Sequence, residues 1–129
     1  MAESPEKPWT MARFLDEEFG PPMLLRAARL VLEARHITED LGSAGDSPQA
    51  RERLRELIGQ IEEQTQLHHW TEEDDIVAEL ADLSIRDEAG VDLLRPMRAG
   101  LQILETMLHD RLLSAVTQNW RQEGRGSSS

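Results

Sequence analysis

The sequence predicts an all-α fold, a small up-and-down helical bundle of about four helices preceded by a short N-terminal helix. Three observations lead to this prediction. Apolar residues recur at the i, i+3, i+4 spacing of an amphipathic helix in several segments. Aromatic residues make up only 4% of the chain, and runs of the β-branched residues typical of strands are scarce. Proline, serine, threonine and glycine lie at the ends of the apolar segments, where helices begin and end.

The chain of 129 residues is long enough for one domain with a single modest core. We expect a flexible arm over residues 1–10, the bundle over 11–122 and a disordered tail over 123–129. The arm is polar and proline-rich, without the apolar region of a signal peptide, and no apolar run approaches the length of a bilayer span. A cytoplasmic protein is therefore the expectation.

The net charge of −11 arises from 25 acidic and 14 basic residues. Such a negative field repels nucleic-acid phosphates and anionic lipids, so we expect no binding to DNA, RNA or a membrane. It favours a protein partner with a basic surface, or a divalent cation. The chain has no cysteine, which excludes disulfides, thiolate metal sites and cysteine nucleophiles.

A short N-terminal helix is expected over residues 11–19, capped by Thr10 and ended by the Gly20-Pro21-Pro22 segment. The aromatic residues of this region are Trp9, Phe14 and Phe19. Two interpretations remain open at this point: the helix folds back onto the bundle as a lid, or it docks onto another chain.

The four bundle helices are expected over residues 23–41, 48–69, 72–83 and 92–122. Gly42 is expected to cap the first helix, and Ser47 with Pro48 begins the second. Thr71 is expected to cap the third, and Pro96 to lie in the first turn of the fourth. The apolar stripes predict a core that includes Leu54, Leu57, Ile58, Ile61, Leu101, Leu104, Leu108 and Leu112.

The first bundle helix is more apolar than one buried face requires, because three leucines widen its main stripe. Apolar and aromatic side chains outside a core are frequent anchors for partners. We therefore expect a non-catalytic, acidic protein-interaction module, such as an accessory subunit, adaptor or chaperone-like regulator, that is dimeric or part of a complex. The predicted partner-binding residues are Trp9, Phe14, Phe19, Leu25, Leu30, Leu32 and Trp120.

Histidines and carboxylates are concentrated in the segment His68-His69-Trp70-Thr71-Glu72-Glu73, at the junction of two helices. In a continuous helix each histidine would lie one turn from a glutamate, with both imidazoles toward the bundle interior. Imidazole and carboxylate groups suit iron, manganese or zinc. A second explanation needs no ligand: the imidazoles lie at a helix C-terminus, and the acidic residues match the dipole of the next helix at its N-terminus.

This segment resembles in part the His-His-x-x-Glu-Glu signature of hemerythrin-like domains, which are di-iron four-helix bundles that bind oxygen or sense metal and redox state. The resemblance implies an iron cofactor, with candidate ligands His68, His69, Glu72, Glu73, His36 and His109. The chain departs from the family pattern, because the third bundle helix has no histidine and Ser114 stands where the closing acid is expected. A degenerate hemerythrin-like metal-binding bundle is the alternative function.

Motifs for catalysis are not evident in the sequence. The chain has no Gly-x-Ser-x-Gly elbow, no glycine-rich phosphate loop and no dinucleotide-binding pattern. Glu33 and His36 have the spacing of a ferritin-like di-iron ligand pair, but no second pair of this spacing completes such a site. We therefore expect no enzymatic activity.

Overall fold

The computed structural model describes residues 9–45, 47–85 and 93–128, and the side chains of the last helix as far as Thr117. Every regular element in these ranges is a helix: α1 (Met11–Asp16), α2 (Pro22–Ala44), α3 (Pro48–Leu67), α4 (Thr71–Ile85) and α5 (Leu94–Ser128). The predicted all-α bundle with a short N-terminal helix is confirmed. In the described ranges, none of these helices combines the length and apolar character that crossing a bilayer requires.

The four long helices form a closed ring in chain order. Helix α2 contacts α3 and α5, and α4 contacts the same two helices from the other side. The loops between α2 and α3 and between α3 and α4 are short, so these consecutive helices run antiparallel. Helix α1 lies against α2 and α5. The beginnings of α2 and α4 and the second half of α5 therefore share one end of the bundle.

Small side chains on α2 allow its neighbours to approach closely. Ala27, Ala28, Val31 and Ala34 are almost completely buried, although none of them is large. Leucine and isoleucine side chains from the other helices fill the space between the backbones. The predicted core residues Leu54, Leu57, Ile58, Ile61, Leu101, Leu104, Leu108 and Leu112 are all buried.

Helix α1 begins as predicted but ends earlier than residue 19. The hydroxyl of Thr10 accepts a hydrogen bond of 3.2 Å from the amide of Arg13, which caps the helix. Glu18 then adopts a left-handed conformation, with φ of 49°, and the amide of Phe19 donates to the carbonyl of Phe14 over 3.0 Å. This is a Schellman motif, and it turns Phe19 back so that its ring stacks near that of Phe14.

A second Schellman motif ends α3 at Leu67, two residues before the predicted end. His69 takes the left-handed conformation with φ of 58°, and the amide of Trp70 donates to the carbonyl of Thr65 over 2.9 Å. The carbonyl of Trp70 then accepts from the amide of Asp74 over 2.8 Å. Thr71 is therefore the first residue of α4 rather than its N-cap, and Trp70 takes the cap position.

Two other helices continue beyond their predicted ends. Helix α2 includes Gly42 and stops at Ala44, where Gly45 has φ of 101° and supplies the turn. Helix α5 extends through residues 123–128, for which the sequence predicts a disordered tail. Extending a formed helix costs far less than nucleating one, which explains both extensions. Residues 1–8 of the predicted arm and the whole of the 86–92 connection lie outside the described residues.

Candidate functional site

A pocket of about 470 Å³ opens at the end of the bundle where α2 and α4 begin. Its volume lies within the range of roughly 300–1,000 Å³ that is usual for ligand sites. Three helices contribute to it. The lining residues are Pro21, Met23 and Leu24 near the start of α2, Trp70, Glu72 and Glu73 near the start of α4, and Met107, Asp110, Arg111, Ser114 and Ala115 on α5.

A buried ion pair joins α4 to α5 at the base of this pocket. Glu73 is only 1% exposed, and its carboxylate accepts two hydrogen bonds from Arg111. One runs from Nη2 of Arg111 to Oε1 of Glu73 over 3.1 Å, and the other from Nε to Oε2. The hydrogen bond to Glu73 raises the pKa of Arg111 above its ordinary value, against the lowering effect of burial. The pair is bidentate and charge-assisted, the strongest form of this contact.

The indole ring of Trp70 contacts the same arginine. The Cζ atom of Arg111 lies 5.3 Å from the centre of the indole ring, within the distance of a cation–π contact. The ring is buried and also lies beside the imidazole of His68, with 4.9 Å between the ring centres. Glu73 and Trp70 therefore fix the guanidinium in position.

The pocket has an excess of negative charge and partly apolar walls. Three carboxylates, those of Glu72, Glu73 and Asp110, line it together with a single guanidinium. Among the described residues, Glu72 and Asp110 form no hydrogen bond or ion pair through their side chains. The negative charge of Glu72 nevertheless contributes to the raised pKa of Arg111. Met23 is 45% exposed at the rim, and Met107 is half-buried.

The candidate metal ligands of the sequence do not come together. His69 is exposed, and His68 is half-buried with its ring beside that of Trp70. Because α3 ends at Leu67 and His69 adopts a left-handed conformation, the segment is not the continuous helix on which the predicted ligand spacing depends. His36 is exposed on α2, where its Nε2 atom lies 3.6 Å from Asp40.

The remaining candidate ligands have other partners. His109 donates through Nε2 to the carbonyl of Trp9, and Glu73 is held by Arg111. In the described part of the chain, no group of three or more histidine, aspartate and glutamate side chains is arranged to hold a metal ion. The residues present therefore do not fit the iron site that the partial resemblance implies.

The N-terminal aromatic residues pack on the bundle, so the lid interpretation describes this chain. The ring of Trp9 stacks on those of Phe14 and Phe19, with centres 5.0 and 4.8 Å apart. The guanidinium of Arg13 covers the ring of Trp9 at 3.8 Å, and His109 meets the edge of Phe14. Phe14 has no exposed surface and belongs to the core.

The three leucines of the predicted partner-binding face are buried or half-buried. Leu25 is 4% exposed and Phe14 is completely buried, so both belong to the core rather than to an accessible surface, which corrects the prediction for these two residues. Leu30 and Leu32 are half-buried against the core. The side chain of Trp120 lies outside the described part of the chain. Among the side chains that the structure describes, the large apolar ones that are exposed are those of Met23, Leu67, Ile85, Ile103 and Leu113.

Comparisons with known proteins give no relative on which a function could be based. No protein-family model matches the chain, and neither a curated protein nor a solved structure matches it significantly.

Proposed function

We propose that this protein is a non-catalytic, cytoplasmic protein-interaction module, and that it binds a partner with a basic surface at the pocket end of the bundle. One observation carries the proposal: the pocket combines apolar walls with carboxylates that outnumber its single cation. A surface of this kind suits a protein segment that offers both positive charge and apolar contact.

The charge of the whole chain supports the same kind of partner. A net charge of −11 attracts a basic protein over a distance and increases the rate of encounter. The exposed methionine at the pocket rim adds a flexible apolar contact that adapts to different partners. The proposed contact surface therefore differs from the one predicted from sequence, because Trp9, Phe14 and Phe19 pack on one another and on the bundle.

The pocket's own ionisable groups favour binding over catalysis. Arg111 and Glu73 bind each other through two hydrogen bonds, which gives both side chains a structural role at the base of the pocket. The histidines His36, His69 and His109 are outside the pocket. This supports the proposal of a module without enzymatic activity.

Affinity purification with matched charge variants tests the proposal. The tagged protein is expressed in cells and its co-purifying proteins are quantified by mass spectrometry, in parallel with Glu72→Lys/Asp110→Lys and with Glu39→Lys/Glu63→Lys. Both variants replace two carboxylates with two lysines and so change the net charge equally. Glu39 and Glu63 are exposed and lie outside the pocket lining, so the second variant is a control for charge alone. We expect a basic protein that is lost only with the pocket variant. Equal recovery with all three proteins would contradict the proposed site.

The oligomeric state is a separate part of the proposal. We propose that the chain forms a dimer or a complex subunit through exposed apolar residues such as Ile103 and Leu113 on α5. Light scattering coupled to size-exclusion chromatography measures the mass directly. A dimer that dissociates on Ile103→Glu/Leu113→Glu is the expected result. A monodisperse monomer for the unchanged chain, with or without residues 1–19, would refute self-association.

A further inference from the structure

We propose that the pocket between α2, α4 and α5 receives one arginine side chain of the partner, next to an apolar residue of the same segment. This inference rests on the proposed function and specifies the chemistry of the contact. It is based on three features: the distribution of charge within the pocket, the pairing of Arg111 with Glu73, and the apolar side chains in the pocket walls.

The pocket favours a cationic occupant over an anionic one. The positive charge of Arg111 is already balanced by the carboxylate of Glu73, so an incoming anion would add to the negative excess of the pocket. The carboxylates of Glu72 and Asp110 have no such partner among the described residues. They come from two different helices, α4 and α5, and each would repel an anion at the pocket mouth. A cation that enters restores the charge balance.

Arginine fits the pocket better than lysine does. A guanidinium is planar, carries five donors and can bind two carboxylates at once, whereas an ammonium is a compact and strongly hydrated charge. The long aliphatic part of arginine can lie on methionine side chains while its head binds the carboxylates. Met23 and Met107 provide that surface. The pocket already holds one arginine against Trp70 in a related manner.

The apolar neighbour follows from the shape of the rim. Met23 is 45% exposed and lies next to the half-buried Pro21, so apolar surface continues outward from the pocket at the start of α2. A volume of about 470 Å³ exceeds what one arginine side chain fills. A leucine or a similar residue adjacent to the arginine would cover the patch and exclude water from the ion pairs, which strengthens them.

Nuclear magnetic resonance titration with small blocked peptides tests this inference without knowledge of the partner. The ¹⁵N-labelled full chain is titrated with acetyl-Leu-Arg-amide. Parallel titrations use the same peptide with citrulline, lysine or glutamate in place of arginine. Citrulline has the shape of arginine but no charge, so it isolates the contribution of the guanidinium charge. Each titration is repeated with Glu72→Gln/Asp110→Asn and with the control Glu39→Gln/Glu63→Gln.

We expect the arginine peptide to shift the amides of the pocket residues and to bind at least threefold more tightly than the lysine peptide. The citrulline and glutamate peptides should bind at least tenfold more weakly. The pocket variant should weaken arginine binding by about tenfold, a difference equivalent to about 1.4 kcal/mol. The control variant should change the affinity for the arginine peptide by less than twofold. Without peptide, the spectra of the pocket variant and the control variant should both be those of the folded chain.

Other outcomes overturn the inference. Shifts located away from the pocket, equal binding of arginine and citrulline, or equal binding of arginine and lysine would each contradict arginine recognition. Such a result leaves the proposed function intact if a partner still depends on Glu72 and Asp110 in the purification experiment. If the arginine peptide binds as expected and no partner depends on those carboxylates, the proposed function fails while the pocket's ligand chemistry stands.

Discussion

The ion pair between Glu73 and Arg111 leads to an asymmetric prediction for stability. Arg111→Met leaves a carboxylate that is 1% exposed without its cation, whereas Glu73→Leu leaves a guanidinium whose side chain is 38% exposed and in contact with water. Breaking a buried pair from one side costs about 3–5 kcal/mol when the remaining charge stays desolvated. The two single variants should therefore not be equal, although both remove the same pair.

The magnitudes follow from which charge stays buried. We expect Arg111→Met to lower the free energy of unfolding by about 3 kcal/mol, because Glu73 cannot reach solvent. Glu73→Leu should cost about 1–2 kcal/mol, since Arg111 keeps part of its hydration and its contact with Trp70. The double variant should lie within about 1 kcal/mol of the unchanged protein, because no buried charge remains. The coupling energy of this cycle is then roughly 3–6 kcal/mol.

Urea unfolding followed by circular dichroism at 222 nm measures all four proteins of the cycle. A matched control is the exposed pair between Glu33 on α2 and Arg53 on α3, whose Nη2–Oε2 distance is 2.9 Å. Its coupling energy should be only about 0.2–1 kcal/mol, because both side chains are nearly half exposed. A Glu73–Arg111 coupling no larger than this control, or a Glu73→Leu variant less stable than Arg111→Met, would refute the reasoning.

Four further predictions concern the lid, two glycines and the metal hypothesis. Phe14→Ala should lower the free energy of unfolding by about 3–5 kcal/mol in urea titrations, since the ring is completely buried; a loss below about 1 kcal/mol would show that the lid is not part of the folded core. Gly59→Ala, in the middle of α3 with open space around it, should raise the melting temperature, because alanine favours a helix by about 1 kcal/mol over glycine. Gly100→Ala should lower it instead, since the new Cβ would lie 2.8 Å from the buried Leu80; the same sign for both glycines would contradict the packing of α4 on α5. Iron loading in air followed by dialysis and elemental analysis should leave well under one iron per chain, and stoichiometric iron that is lost on His68→Ala would revive the metal site.

The helices and the core could be predicted from sequence because they depend on local periodicity. The stripe through Leu57, Ile58 and Ile61 is visible in the sequence and is the buried face of α3 in the structure. Capping by Thr10 and Ser47 was equally local, and both side chains accept the expected amide hydrogen bonds. Features that involve only a few consecutive residues were therefore recovered.

The pocket could not be predicted in the same way, because it depends on residues far apart in the chain. Glu73 and Arg111 are separated by 38 positions, and in the sequence each reads as a charge on an exposed helix face. One signal was present: Arg111 directly precedes Leu112 of the apolar stripe, so it lies beside the buried face of α5. Without knowledge of which helix packs there, that signal does not identify its partner.

The turn at His69 explains both why the candidate metal ligands do not share one helix face and how the pocket forms. A continuous helix through residues 68–73 would have kept the imidazoles in phase with the inner face of α3 and one turn from the glutamates. The left-handed conformation of His69 ends α3 instead, and its Schellman hydrogen bond directs Trp70 into the core. Helix α4 then starts with Glu73 toward α5, where Arg111 lies above the indole ring. The same local event therefore breaks the helical spacing between the histidines and the carboxylates, and it places one of those carboxylates where it can anchor Arg111 at the base of the pocket.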